Sequence, residues 1–202
     1  MNTPNKLSLL RILMIPLFCA FFYLTVIPYN YVWAAIIFAV AACTDFLDGY
    51  IARKYNLVTN LGKFLDAIAD KVLVLTALLL IITQNHIINP VVGGVGVAII
   101  LARELMVSFF RMIAATKSLV IAADKMGKIK TTVQDICIVV FLLSVNFFGL
   151  TGGLYSWMNI VALVLFGISV LLTVWSGIEM FIKNKGVLKD KNADKDSSSA
   201  QE

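Results

Sequence analysis

Charge is scarce in this chain. Only 14% of its 202 residues are Asp, Glu, Lys or Arg, against about 25% in soluble proteins. Hydrophobic residues make up 60% and the mean hydropathy is +0.90. So short a chain cannot bury that much apolar surface in a soluble core, which excludes a water-soluble domain and makes lipid the solvent. Cysteine is equally sparse. Cys19, Cys43 and Cys137 lie inside apolar runs, are odd in number and lack metal-ligand spacing. They read as buried thiols and exclude a disulfide framework or a zinc site. No internal repeat is present. The one glycine-dense stretch, Gly93-Gly94-Val95-Gly96, lacks the strand–turn–helix setting of a phosphate loop and reads as close helix packing or a flexible entry.

Six apolar stretches of about 20 residues remain, each long enough for ~30 Å of hydrocarbon. They run over Leu7–Pro28, Tyr31–Tyr50, Leu65–Ile87, Val91–Thr116, Ile129–Phe148 and Tyr155–Ile182. Without water to satisfy their backbones they are expected to be helices. The first follows Lys6 and Arg11 as a signal peptide would, but no small-x-small cleavage site follows it, so it reads as retained. The loops at Pro28–Asn30, Gln84–Pro90 and Asn146–Leu154 carry no charge. Lys6, Arg11, Arg53, Lys54, Lys63, Lys71, Lys117, Lys125, Lys128, Lys130 and five tail lysines fall on the other side. The net charge of +5 therefore reads as topology rather than nucleic-acid binding, with both termini cytosolic. Tyr29, Tyr31, Trp33, Tyr155 and Trp157 are placed in an aromatic belt on the outer side. His86, the only histidine, lies in an outer loop and reads as a loop residue without function. Residues 1–182 form a membrane domain; 183–202, with five Lys, four acids and three consecutive serines, form a polar cytosolic tail expected to be disordered.

Asp45 and Asp48 stand three apart near the cytosolic end of the second stretch, and Asp66 and Asp70 four apart at the start of the third. Both spacings put paired carboxylates on one helix face. A hairpin closed by the Ile51–Leu65 connection brings all four to similar depth. Four carboxylates cannot stay ionised together near lipid without cations. Hard oxygen donors at this density suit Mg²⁺ or Mn²⁺, and paired metals about 4 Å apart serve phosphoryl transfer. The plainer alternative is interfacial ion pairing with Arg53, Lys63 and Lys71. Gly49 and Ala52 let a bulky or phosphate-bearing group approach the backbone, and Arg53 is placed to grip a phosphate. Gly62 is placed to cap or bend the entry to the third stretch.

The stretch Asp45-x2-Asp48-Gly49-x2-Ala52-Arg53-x8-Gly62-x3-Asp66-x3-Asp70 resembles, without a departure, the signature of the CDP-alcohol phosphotransferase family of membrane phospholipid synthases. The resemblance implies that an alcohol attacks the β-phosphorus of a CDP-linked lipid and releases CMP. It also implies two divalent cations, Mg²⁺ or Mn²⁺, held by Asp45, Asp48, Asp66 and Asp70, with Asp70 as general base. Gly49, Ala52 and Arg53 would line the CDP-lipid pocket, with Gly62 beside them and Asn5 and Thr44 at its border. A homodimer is also implied.

The second half must supply the acceptor pocket. Arg103-Glu104 and Arg111 interrupt the fourth stretch, and Lys125, Lys128, Lys130, Thr131, Gln134 and Asp135 open the fifth. Charges in such places need a partner or a function. Arg103 is either an acceptor ligand or a structural partner of Glu104, Asp135 or an aspartate of the metal site. An excess of cations over local acids favours an anionic acceptor. The pattern Arg103-Glu104, Arg111, Gly127-Lys128-x-Lys130-Thr131-x2-Gln134, with the Pro4-Asn5-x-Leu7 opening and Arg11, is similar to the phosphatidylglycerophosphate-forming branch of the family. That implies CDP-diacylglycerol and glycerol 3-phosphate as substrates, with Arg103, Arg111, Lys128 and Lys130 on the acceptor phosphate. Rivals within the family use phosphatidylglycerol (giving cardiolipin) or inositol phosphate as acceptor. A prenyltransferase would place its acidic motifs far apart in a longer chain, and a divalent-cation transporter would need polar sites near the midplane. The expected architecture is an all-α integral-membrane bundle of six transmembrane helices in a bacterial-type cell membrane. Its polar active-site cavity would face the cytosol and admit membrane lipid laterally.

Overall fold

The computed structural model describes residues 3–54, 60–84, 87–116, 125–146 and 153–184, with side chains over 9–44, 68–84, 87–114, 126–145 and 156–184. Among the described residues there are six helices and no strand: α1 (Thr3–Tyr23), α2 (Asn30–Lys54), α3 (Asn60–Ile82), α4 (Pro90–Thr116), α5 (Lys125–Asn146) and α6 (Gly153–Lys183). Even α1, with 21 residues, is about 32 Å long at ~1.5 Å per residue. On the described residues alone, Pro90–Ala114 and Ser156–Lys183 are long and apolar enough to cross a membrane.

The helix ends depart from the hydropathy edges in an instructive way. Helix α1 stops at Tyr23, five residues before Pro28, because the β-branched run Thr25-Val26-Ile27 precedes a proline that disfavours helix. The Asn30 side chain donates to the Phe22 carbonyl at 3.1 Å, and Tyr29 takes a positive φ of 59° as the chain reverses into α2. At the other end of the hairpin, α2 runs on to Lys54 and α3 already begins at Asn60, so the connection is far shorter than Ile51–Leu65. Charge ends an apolar stretch without breaking a helix. Gly62 accordingly lies within the first turn of α3 and does not cap it. Helix α4 starts where Asn89 Oδ1 accepts from the backbone of Val91 at 2.9 Å and Val92 at 3.4 Å, with Pro90 in the first turn.

Contacts close the bundle in the order α1–α2–α5–α6–α4–α3 and back to α1, with α3 also touching α5 and α2. The core holds Phe18 and Phe22 of α1, Phe38 of α2, Leu73 and Ile81 of α3, Ile100 of α4, Phe141 and Leu142 of α5, and Phe166 of α6. Phe18 meets Phe38 with ring centres 6.1 Å apart, against the small Ala34 and Ala41 of the same helix. A Cβ on Gly96 would lie 2.6 Å from the Phe166 ring, so this glycine serves close packing of α4 on α6. Outward, apolar side chains such as Leu13, Met106, Phe109, Leu171 (71% exposed) and Trp175 lie bare. An apolar exterior of this extent needs lipid around it.

Three sequence expectations change here. Cys137 is buried, but Cys19 is only half-buried and Cys43 is exposed, because in lipid the outer face is as apolar as the core. Arg11, counted among the topological cations, is fully buried and donates to the Ala41 carbonyl of α2 at 3.2 Å. In the aromatic belt Tyr29, Trp33 and Trp157 are exposed, but Tyr31 packs edge-on against Phe22 at 5.2 Å. His86 and the tail from residue 185 lie outside the described residues, as does the side chain of Tyr155 on α6.

Candidate active site

Helix α4 organises the site through three polar residues within two turns, each addressed to a different neighbour. Arg103 reaches α6, donating to Ser176 Oγ at 2.9 Å. Glu104 reaches α5 and accepts from Lys130 Nζ at 2.5 Å. Ser108 reaches α3 and accepts from Lys71 Nζ, while its own hydroxyl donates to the Glu104 carbonyl at 2.6 Å. Arg103 closes the network by donating to the same Glu104 oxygen at 3.0 Å. Gly177 of α6 faces the Arg103 stem at 3.2 Å from where a Cβ would stand, leaving room for the side chain to cross. Lys130 is 1% exposed. A buried ammonium of this kind is tolerable only with its carboxylate partner in place.

Beside the network lies a cavity of about 30 Å³ lined by Asp70, Lys71, Val74 and Leu75 of α3, Glu104 of α4, and Lys130, Thr131, Gln134 and Asp135 of α5. That space holds one or two waters, or a fragment of a larger molecule. Asp70 of the acidic motif and Lys130 of the basic cluster thus share one wall-to-wall space, although 60 residues separate them in sequence. A second, more open groove of about 370 Å³ runs between α2 and α5 along Phe38, Ala39, Ala42, Cys43, Ile136, Val139 and Val140. Thr132 and Asp135 are its polar members, and Asp135 is common to groove and cavity.

The remaining sequence candidates divide as follows. Helical backbone runs through Asp45, Asp48, Gly49, Ala52 and Arg53 on α2 and through Gly62 and Asp66 on α3, and these two helices touch. Their side chains, and that of Asn5 on α1, lie outside the described residues. Thr44 donates to the Ala41 carbonyl at 2.7 Å, the acceptor that Arg11 also uses. Lys128 and Arg111 are exposed on α5 and α4 and stand apart from the cavity lining. Arg103 is engaged with Glu104 and Ser176 and also stands outside that lining.

The expected cation excess is not found in the described lining, which holds Asp70, Glu104 and Asp135 against Lys71 and Lys130. Of the two sequence readings of Arg103, the pairing with Glu104 is the one found, while Lys130, expected on the acceptor phosphate, also meets Glu104. Glu104, carried on the same helix turn as Arg103, engages both. Two residues noted in the sequence acquire defined positions here. Lys71 ties α3 to α4. Gln134, one turn beyond Lys130 on α5, is 3% exposed, and its Oε1 has no hydrogen-bond partner among the described residues.

Comparison with known proteins gives a consistent result. The family model described as CDP-alcohol phosphatidyltransferase matches residues 1–175. The chain is 37% identical over 202 residues to a CDP-diacylglycerol–glycerol-3-phosphate 3-phosphatidyltransferase of Bacillus subtilis strain 168, covering 95% of this chain and 99% of that one. Proteins with the same name from Haemophilus influenzae and Salmonella typhimurium are 35% and 34% identical. Each alignment covers 94% of this chain, and 96% and 98% of the respective relative.

Proposed function

Since the chain belongs to the CDP-alcohol phosphatidyltransferase family, we propose that it moves the phosphatidyl group of CDP-diacylglycerol onto glycerol 3-phosphate, giving phosphatidylglycerophosphate and CMP. The observation that carries this reading is the shared cavity: Asp70, the proposed base, and Lys130, a proposed acceptor ligand, line the same space. The names of the relatives support the choice of acceptor.

The terminal hydroxyl of the acceptor attacks the β-phosphorus, and its proton passes to the Asp70 carboxylate as the new P–O bond forms. The bond from that phosphorus to the CMP phosphate breaks, and CMP departs. Lys130, with Lys128 and Arg111 nearer the surface, receives the acceptor phosphate; Arg103 keeps Glu104 in place. On α2, Gly49 and Ala52 let the CDP group approach the backbone and Arg53 grips its phosphate, with Asn5, Thr44 and Gly62 at the border. The donor set fits two divalent cations, Mg²⁺ or Mn²⁺: Asp45 and Asp48 share a face of one helix and Asp66 and Asp70 a face of its neighbour, all hard oxygen donors. Bound there, the cations would offset charge on the diphosphate and reverse the acidic balance of the cavity wall.

The apolar groove between α2 and α5 shares Asp135 with the cavity and is the proposed path by which the acyl chains of the lipid substrate enter. All six helices span the membrane, with both termini and the cavity on the cytosolic side, as the uncharged loops at one end and lysines at the other require. Residues 183–202 form a solvated tail, and two copies of the 1–182 domain form a homodimer.

The test is CMP release by purified protein in detergent with CDP-diacylglycerol and Mg²⁺ or Mn²⁺, comparing glycerol 3-phosphate, phosphatidylglycerol, inositol phosphate and glycerol. Metal-dependent release with glycerol 3-phosphate alone is expected. Release with another acceptor instead would keep the aspartate chemistry and overturn the acceptor.

A further inference from the structure

We propose that Gln134 recognises the spectator hydroxyl of the acceptor, the secondary alcohol on its middle carbon. This inference rests on the acceptor proposed above and deepens it. Gln134 is 3% exposed and lines the cavity that Asp70 and Lys130 share. Its Oε1 is buried without a hydrogen-bond partner among the described residues, a state that has a cost unless something in the cavity donates to it.

The chemistry of a carbonyl oxygen selects the donor. Phosphate oxygens, those of the lipid diphosphate included, are acceptors at neutral pH and cannot satisfy it; the donor groups of the cytidine belong to the pocket proposed at Gly49, Ala52 and Arg53 on α2. The attacking hydroxyl must point its proton at a carboxylate. What remains in a phosphorylated three-carbon diol is the second hydroxyl.

Placement agrees with that choice. Gln134 lies four residues after Lys130, on the same face of α5 and about one turn away. A phosphate held near Lys130 therefore leaves the carbon chain running along α5 toward Gln134, with Asp70 across the cavity on α3. The cavity, about 30 Å³, has room at this point for a hydroxyl-bearing fragment of a larger molecule.

The experiment compares glycerol 3-phosphate with 3-hydroxypropyl phosphate, which keeps the phosphate and the terminal hydroxyl and lacks the middle one. Wild-type protein should prefer the diol by roughly 10- to 100-fold in kcat/KM, the discrimination that one buried hydrogen bond supplies. Gln134→Met, similar in volume and without the oxygen, should bring the ratio close to one. Gln134→Glu, which keeps an acceptor oxygen at the same reach, should retain the preference. A ratio between two acceptors does not depend on how much of a variant is folded. An unchanged preference in Gln134→Met, or no preference in wild type, would overturn the inference while leaving the proposed reaction intact. Failure of wild type to use glycerol 3-phosphate in the presence of turnover with another acceptor would overturn the reaction first, and this inference with it.

Discussion

Asp70 can be separated from its neighbours by a single atom exchange. Asp70→Asn preserves shape and removes the basic oxygen, so turnover should fall by at least about 10²-fold, the range of a lost general base. Equilibrium binding of the CDP-lipid, measured beside it, should persist; near-normal turnover would remove Asp70 as the base. The lysines separate by burial. Lys130→Met should raise the KM for glycerol 3-phosphate by roughly tenfold or more, as loss of a charge-assisted contact does. Exposed Lys128→Ala should change it only a few-fold. Glu104 keeps Arg103 in the Lys130 variant, so the fold should lose less than the ~3–5 kcal/mol of an orphaned buried charge. At this scale the acidic signature was plain in the sequence, because its spacing is local to two helices. Glu104 was visible as an acid inside an apolar run, but its choice of Lys130 on another helix follows from packing and has no local signal. Gln134 carried a faint one, its four-residue step from Lys130.

Helices were legible as elements and less so at their ends. Hydropathy registers where side chains leave hydrocarbon, while a helix stops where backbone hydrogen bonds fail, and the two differ by several residues at α1, α2 and α3. The Gly93–Gly96 run, ambiguous in sequence between packing and flexibility, becomes specific once α6 is in place. A Cβ on Gly96 would stand 2.6 Å from the Phe166 ring, whereas one on Gly94 would meet nothing within 4 Å. Gly96→Ala should therefore destabilise the bundle by about 1–3 kcal/mol through overpacking. Gly94→Ala should be neutral or stabilise by up to about 1 kcal/mol through helix propensity. Thermal unfolding of both variants in the same detergent distinguishes the two positions, and equal shifts would contradict the packing described for α4 and α6.

For the whole molecule the orientation is the testable property. In a protein with Cys19, Cys43 and Cys137 replaced, Gln84→Cys in intact cells should react with a membrane-impermeant maleimide. Asn184→Cys should react only after permeabilisation; the reverse pattern would invert the topology. The order of helices around the bundle also bears on synthesis. Chain order and spatial order diverge after α2, since α5 wedges between α2 and α6 while α3 and α4 complete the other side. A ribosome delivering helices one at a time thus places Asp70 and Glu104 in the membrane before Lys130, which shares their cavity, has been made. Until α5 arrives Glu104 has Arg103 of its own helix as partner, and Lys130 joins it only when the fifth helix packs. The cavity lined from α3, α4 and α5 is therefore among the last features to assemble, and a chain interrupted after α4 lacks the α5 wall of it.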